Sequence, residues 1–500
     1  MMIVLVKHRQ GGFMSFNPSI AENIQTTVAA LIEMVSGESS RDKTAHEIEG
    51  QLWWGLLAMG QQFMQLFLTT QEKQEVKQKV YEAEGVEYPY IGQKDRKYVS
   101  LFGDATVWRA GYWRKGLEVQ FPLDDKLSLP ERSFSDLVQE RVSELTISMT
   151  YEEAVTVFSK WLGWDLSKRS SEQINADHAD YVTDYYETQP VPDTSVSDTI
   201  LAVSADGKGI PMTRKDSPPP EARRGRGDKK TAKKDATVTA LYTIAPYKRC
   251  ADDIIRALVP GYAAEASTLP PRPKPTNKQV FGTLGGQKAA FEQLARKVER
   301  RSSEQIIHYV ALTDGNRGLK NRVRLDLPHF TLIIDIIHVT EYLWEAANTL
   351  LGETHSMREV WMQDALRCLL EDDLDKLLNH LNYQLPGLSK RKQTTLKKVI
   401  RYLRNNRDYM HYQDYLANGY PIGTGVIEGA CRHLVKDRFE RAGMRWSMVG
   451  AQVMLELRAV YLNGDWDNFQ RFRRRKAHQK RYGSLHPDVV PEELMLGVAA

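Results

Sequence analysis

Three acids sit where carboxylates can hold a metal ion: Asp206, Asp314 and Glu428. Asp206 closes the apolar run Ile200-Leu-Ala-Val-Ser-Ala and opens Gly207-Lys-Gly-Ile, while Asp314 closes Tyr309-Val-Ala-Leu-Thr and opens Gly315-Asn-Arg-Gly-Leu. Each reads as a strand end followed by a tight turn. Singly, each has a plain explanation, because Asp-Gly is a common hairpin turn and an Asp ahead of a helix caps it. Two strand-end carboxylates recurring in one α/β segment point further, since ligands collect beyond the carboxyl ends of parallel strands. Glu428 lies in Pro421-Ile-Gly-Thr-Gly-Val-Ile-Glu-Gly-Ala-Cys-Arg-His, near a helix start. There an acid also complements the helix dipole, by about 0.3–1 kcal/mol.

Three hard oxygen donors from separate elements suit Mg²⁺ or Mn²⁺, completed by phosphate oxygens of a substrate. Two such ions roughly 3.5–4 Å apart would activate an attacking water or 3′-hydroxyl and stabilise a leaving oxygen. Asp206 would bridge both, with Asp314 and Glu428 each completing one. Beyond Glu428 follow Arg432, Lys436, Arg438, Arg441 and Arg445, suited to a DNA backbone, and Trp446, suited to stacking on an unpaired base. Taken alone, Trp446 reads more readily as a core residue.

The charge distribution agrees with a phosphate-rich partner. The 500-residue chain carries only +4 net. Residues 221–235, however, hold Arg223, Arg224, Arg226, Lys229, Lys230, Lys233 and Lys234 against three acids, and residues 471–481 hold seven bases and no acid. Such concentration suits DNA binding, although charged solvated segments have the same composition. Cys250, Cys368 and Cys431 are far apart with no Cys-x-x-Cys pair, so neither a disulfide framework nor a thiolate zinc site is expected, and buried packing is. No run is long and apolar enough for a membrane span, and Met1-Met-Ile-Val-Leu-Val before Lys7 is too short for a secretory core, which predicts a cytoplasmic protein. Met14 is an alternative start.

A chain of this length and 42% hydrophobic content predicts several domains. Helical spacing marks an N-terminal helical domain at 15–92. Glycine-punctuated aromatic and β-branched residues mark a small β element at 93–130. A helical segment follows at 131–190, in which Thr150 and Glu153 form a capping box and Gly163 ends the helix. The helix expected next, from about 165 to 186, makes this segment either a helix-turn-helix DNA reader or an ordinary helical hairpin. After a linker containing Pro190 and Pro192, strands are expected at 199–205, 210–213, 237–244, 307–313 and 330–337. A helix is expected at 287–301, giving an α/β layer. Helices then follow at 361–381, 396–415, 426–441 and 446–462.

The stretches Leu201-Ala-Val-Ser-Ala-Asp-Gly, Leu312-Thr-Asp-Gly-Asn-Arg-Gly-Leu, Ile334-Asp-Ile-Ile-His-Val-Thr-Glu-Tyr-Leu and Gly423-Thr-Gly-Val-Ile-Glu-Gly-Ala-Cys-Arg-His-Leu-Val-Lys-Asp-Arg, with Gly443-Met-Arg-Trp, resemble ISKra-type insertion-sequence transposases, relatives of the Mutator-like group. The resemblance spans roughly residues 95–460. It implies an α/β ribonuclease H-like catalytic core at 198–345, an all-helical insertion at 346–415, final core helices at 416–462 and a basic tail at 463–500. The acidic triad then falls on Asp206, Asp314 and Glu428. Asp335 and His338 match the group's Asp-x-x-His feature as supporting residues, for which a hydrogen-bonded buried pair is the simpler reading. Relatives can carry cysteine pairs in the small β element; Trp108-Arg-Ala-Gly-Tyr-Trp has none, so no zinc ribbon is expected.

The implied activity is DDE transposition: strand cleavage with two Mg²⁺ (or Mn²⁺) ions at insertion-sequence ends, then strand transfer to target DNA. Its setting would be a bacterial, nucleoid-associated homo-oligomer assembled on double-stranded DNA. Two other readings stay open, a metal-dependent nuclease of the same fold without strand transfer, and a non-catalytic DNA-binding protein.

Overall fold

The computed structural model describes residues 19–216, 233–262, 269–441 and 443–483. It divides into two compact units, residues 1–174 with 470–500, and residues 175–469.

The first unit opens with α1 (Ile20–Ser36) and α2 (Ala45–Gln74), each begun by a capping box, Ser19 with Glu22 and Thr44 with Glu47. An antiparallel meander of β1 (Val80–Ala83), β2 (Val86–Ser100) and β3 (Gly103–Tyr112) follows, and then α3 (Pro122–Lys126). The β element therefore begins earlier than the expected 93. Lys94, Asp95 and Lys97 of β2 are exposed, and their polarity disguises the strand. Asp124, buried in α3, receives the guanidiniums of Arg96 and Arg109. The unit continues with α4 (Asp136–Ser148), α5 (Tyr151–Leu162) and the start of α6 (Lys168–Ala179), whose residues from Asn175 on belong to the second unit. The predicted Thr150–Glu153 capping box is present, and Gly163 ends α5 at φ 74°, a conformation that favours glycine. The helix expected to run on to residue 186 breaks after α6.

The second unit resumes with α7 (Val182–Thr188). Its core is then laid down as β4 (Ile200–Pro211), β5 (Lys233–Ile244), α8 (Ala251–Leu258), β6 (Thr276–Thr283), α9 (Gly286–Arg301), β7 (His308–Thr313), α10 (Arg317–Asp326), β8 (Thr331–Ile334) and α11 (Ile336–Leu350). The strands form one mixed sheet in the order β6-β5-β4-β7-β8, antiparallel across β6, β5 and β4 and parallel across β4, β7 and β8. Two expectations change here. The segments read as strands at 199–205 and 210–213 are one strand, because β5 pairs along its whole length. The edge strand β6 is hidden in the sequence by the prolines just before it.

A helical layer of α12 (Arg358–Leu370), α13 (Leu374–Gln384), α14 (Lys390–Asn406) and α15 (Tyr412–Ala417) joins α8 and α11 on one face of the sheet, against Ile200, Ala202, Val310, Leu312 and Ile333. The other face, Leu201, Val203, Ala205, Ala311 and Leu332, is covered by Phe291, Leu294 and Val298 of α9 and Leu319 and Val323 of α10. Where one helix is expected at 426–441, the chain forms α16 (Gly425–Ala430), a π-helical turn (Cys431–Lys436) and α17 (Asp437–Phe439). The chain closes with α18 (Met448–Leu462) and α19 (Trp466–Tyr482).

From Gln470 onward α19 belongs to the first unit. The expected basic tail is thus, over its described part, a docked helix. Arg473 is buried and paired with Asp136 at 2.8 Å and with Glu140, and Arg474 also meets Glu140. Two bases of a stretch with no acid of its own are thus paired by acids of α4. Among the described residues no helix is long and apolar enough to cross a membrane.

Replacing Asp124 by Ala strands two guanidiniums in a largely dry interior, a loss of about 3–5 kcal/mol. Chemical denaturation of the full chain should show the first transition shifted to lower denaturant while the circular dichroism at zero denaturant is retained.

Candidate functional site

The parallel half of the sheet aligns the acids. Ser204 of β4 pairs with Leu312 of β7, which pairs with Ile333 of β8. Two residues further along each strand's path stand Asp206, Asp314 and Asp335, so the register puts the three aspartates in one row just beyond the parallel pairing. Adjacent strands are about 4.8 Å apart, and residues two apart point the same way. The row therefore continues the face of Ala202, Val310 and Ile333, the face beneath the helical layer.

Asp206 was expected at a strand end beside a turn. Instead β4 runs through it, with Asp206 opposite Val238 and Gly207 opposite Thr237. What ends at Ser204 is the pairing with β7, and this leaves the Asp206 carboxylate room on that side. Asp314 does follow its strand; its Oδ1 accepts the Asn316 N–H at 2.8 Å, and the Tyr402 hydroxyl of α14 donates to its carbonyl at 3.1 Å. Gly315 must be glycine on two counts. Its φ is +90°, and a Cβ there would press on the Tyr402 ring at 3.1 Å.

Asp335 is fully buried and caps α11. Its Oδ1 accepts the N–H groups of Ile337 (3.0 Å) and Thr424 (3.1 Å), and its Oδ2 meets His338 Nδ1 (2.7 Å) and the Thr424 hydroxyl. Four donors fill a carboxylate's four acceptor positions. This node ties α11 to the loop entering α16, and Thr424 Oγ1 lies 3.4 Å from Glu428 Oε1. One helical turn past Glu428, the buried Cys431 thiol points at Asp206 Oδ2, 3.5 Å away. Glu428 therefore stands on the same side of the sheet as the aspartate row. Burial, Asp206 and Glu428 together push the Cys431 thiol well above its usual pKa, so it stays a neutral donor.

Asp335, His338 and Glu428 offer ligand atoms all within 4.8 Å of one another, a group able to hold a metal ion. Asp206 and Asp314 lie outside that group. The hydrogen bond to Asp335, reinforced by the charges of Asp335, Glu341 and Asp314, raises the His338 imidazole to about 9 against the opposing cost of burial. Its Nε2 is the nitrogen not engaged by Asp335.

The basic residues after Glu428 divide. Arg432, Lys436, Arg441 and Arg445 are exposed. Arg438 and Trp446, expected to meet DNA, are instead buried, with the guanidinium 4.8 Å from the indole ring. The cause is backbone pairing: Trp446 N–H donates to Pro211 O, and its carbonyl accepts from Thr213, which pins Trp446 to the end of β4. Arg223, Arg224, Arg226, Lys229 and Lys230 lie outside the described residues.

Sequence reasoning missed Thr424, Cys431, Tyr402 and Arg458. Cys431 was open to detection, because its place three residues after Glu428 puts both on one helix face. Arg458 was not. It reaches from α18 to donate to the carbonyls of Leu434 (3.0 Å) and His433, which the π-helical turn holds. Burial lowers its pKa to about 10, still charged at neutral pH.

Two outcomes follow. Arg458→Leu should destabilise the second unit by about 1–3 kcal/mol, since buried carbonyls lose their donors, and a calorimetric scan reads the shift. His338 is raised in the folded state above its ordinary 6.5. Its bond to Asp335 therefore stabilises fully below about 6.5 and is lost as pH rises through about 9. In metal-chelated protein the imidazole resonance should titrate near 9, moving back toward 6.5 in Asp335→Asn; a midpoint near 6.5 in the unaltered protein would contradict the pairing.

No protein-family model matches this chain, and no curated protein matches it. Among solved structures it is similar to the Drosophila P element transposase strand transfer complex, at a TM-score of 0.24 and 10% identity, covering 71% of this chain and 83% of that one.

Proposed function

We propose that the second unit is a ribonuclease H-like core and that the chain is a DNA transposase, cleaving and joining phosphodiesters with divalent cations. The observation that carries this reading is the register row of Asp206, Asp314 and Asp335 just beyond the parallel pairing of β4, β7 and β8, with the helix of Glu428 bonded to it through Thr424 and Cys431. An antiparallel trio of strands extended by two parallel ones, with helices on both faces, supports the fold assignment.

Two donor sets compete for the cations, and lone-pair accounting favours Asp206, Asp314 and Glu428. Asp335 has no acceptor position left, whereas among the described residues Asp206 accepts only the adjacent Gly207 N–H and the weak Cys431 thiol, and Asp314 accepts only the Asn316 N–H. Bound there, Mg²⁺ or Mn²⁺ would activate the attacking hydroxyl and neutralise the leaving oxygen. Asp335 positions: it fixes His338 and the entry to α16, and so sets where Glu428 stands. The exposed Arg432, Lys436, Arg441 and Arg445 would hold the phosphate backbone beside it. Water attack breaks a phosphodiester at an insertion-sequence end, and the freed 3′-hydroxyl then attacks a target phosphorus, breaking its bond to the target strand's 3′-oxygen, which leaves as a 3′-hydroxyl.

The test is cleavage and strand transfer by the full chain with Mg²⁺ on duplexes carrying the sequences that flank its gene. Asp206→Asn, Asp314→Asn and Glu428→Gln should each lose cleavage by roughly a thousandfold, the several kcal/mol a metal ligand supplies, with DNA retention unchanged. Asp335→Asn should lose about 10–100-fold, as for groups that orient ligands. Full activity in Asp206→Asn together with abolition in Asp335→Asn would move the metal to Asp335, His338 and Glu428. Cleavage without joining of pre-cut ends would make the protein a nuclease.

A further inference from the structure

Most of α1 and α2 is left uncovered. Among their described residues only Ile24 and Leu68 are buried, although the two helices span 17 and 30 residues. The faces of α2 can be assigned. Gln61 and Gln65 hydrogen-bond the β3 carbonyls of Asp104 and Thr106, and Leu68 packs with Ala105 and Val107, so this face meets the meander. Gln62 bonds Thr27, and Gly55 lies under Leu31, so a second face meets α1 with the two helices antiparallel. The third face carries Leu56, Phe63 and Phe67, at helical spacing. On antiparallel neighbours the 3.6-residue period turns Val28, Ile32 and Val35 of α1 to that same side. All six are between 38% and 59% exposed.

We infer that this face of the α1–α2 hairpin is a docking surface for the same hairpin of a second copy of the chain, so that the protein dimerises without DNA as a four-helix bundle. Two observations select a second copy. The first is area. Phe63 and Phe67, half-exposed, present on the order of 100 Å² each. With the four aliphatic side chains the patch approaches 500 Å², the upper range for a monomer's largest apolar patch, and two such patches face to face would bury about 1,000 Å² in total, the threshold for a specific interface. The second is charge. From Gly50 to Gln71 the helix has no ionisable side chain, so identical surfaces meet with no like-charge penalty. A DNA or acidic partner would call for bases here, and α1 has none.

Sedimentation velocity of the full chain without DNA tests this. A dimer at low micromolar concentration is expected, becoming monomer in Phe63→Glu/Phe67→Glu with an unchanged circular dichroism spectrum. A second arm leaves the hairpin's own packing in place: under oxidation Phe63→Cys should give a disulfide-linked dimer, and Gln61→Cys, on the face toward β3, should not. A monomer at tens of micromolar, or a dimer that persists in the double variant, overturns the assignment. The readout needs no cleavage, so it stands or falls apart from the proposed chemistry.

Discussion

The register between β4, β7 and β8 is the constraint on which the site depends. Side chains alternate across a strand, so a one-residue slip of β7 against β4 would turn Asp314 to the opposite face and break the row. Two cores oppose that slip. Val310 and Leu312 are buried under the helical layer, while Ala311, between them, is buried toward α9 and α10. The hydrophobic pattern that stabilises the sheet is thus also what aligns its acids.

Asp335 extends that alignment out of the sheet. A carboxylate with all its acceptor positions filled is a poor candidate for binding anything further, yet it is an effective joint. Through it α11, His338 and the loop before α16 are held together, and Glu428 starts one turn beyond. The π-helical turn that follows widens the helix after Glu428, and Arg458 holds its carbonyls from α18. Positions around the candidate site are therefore set by hydrogen bonds among residues far apart in the chain.

Cations in this protein serve two purposes that composition does not separate. Arg109, Arg438, Arg458 and Arg473 are buried, and three of them bind acids or carbonyls of distant segments. Arg432, Lys436, Arg441 and Arg445 remain in water. Arg438 stands among the exposed bases because guanidinium suits either role, a planar donor in the interior or a phosphate binder at the surface.

By itself the sequence determined the features that local physics controls. These are the capping boxes, the Gly163 stop, the α9 and β7 segments, and the placing of Asp314 just past its strand, each decided by neighbours a few residues away. It also carried the apolar periods that make an α/β layer. Only the tertiary structure decided the rest. Whether Asp206-Gly207 turns depends on β5 pairing across it; whether Arg438 and Trp446 reach solvent depends on Pro211 and Thr213; whether α19 is a basic tail depends on acids in α4. Those outcomes rest on partners tens to hundreds of residues away, and burial, pairing and charge neutralisation belong to such contacts, not to the residues that make them.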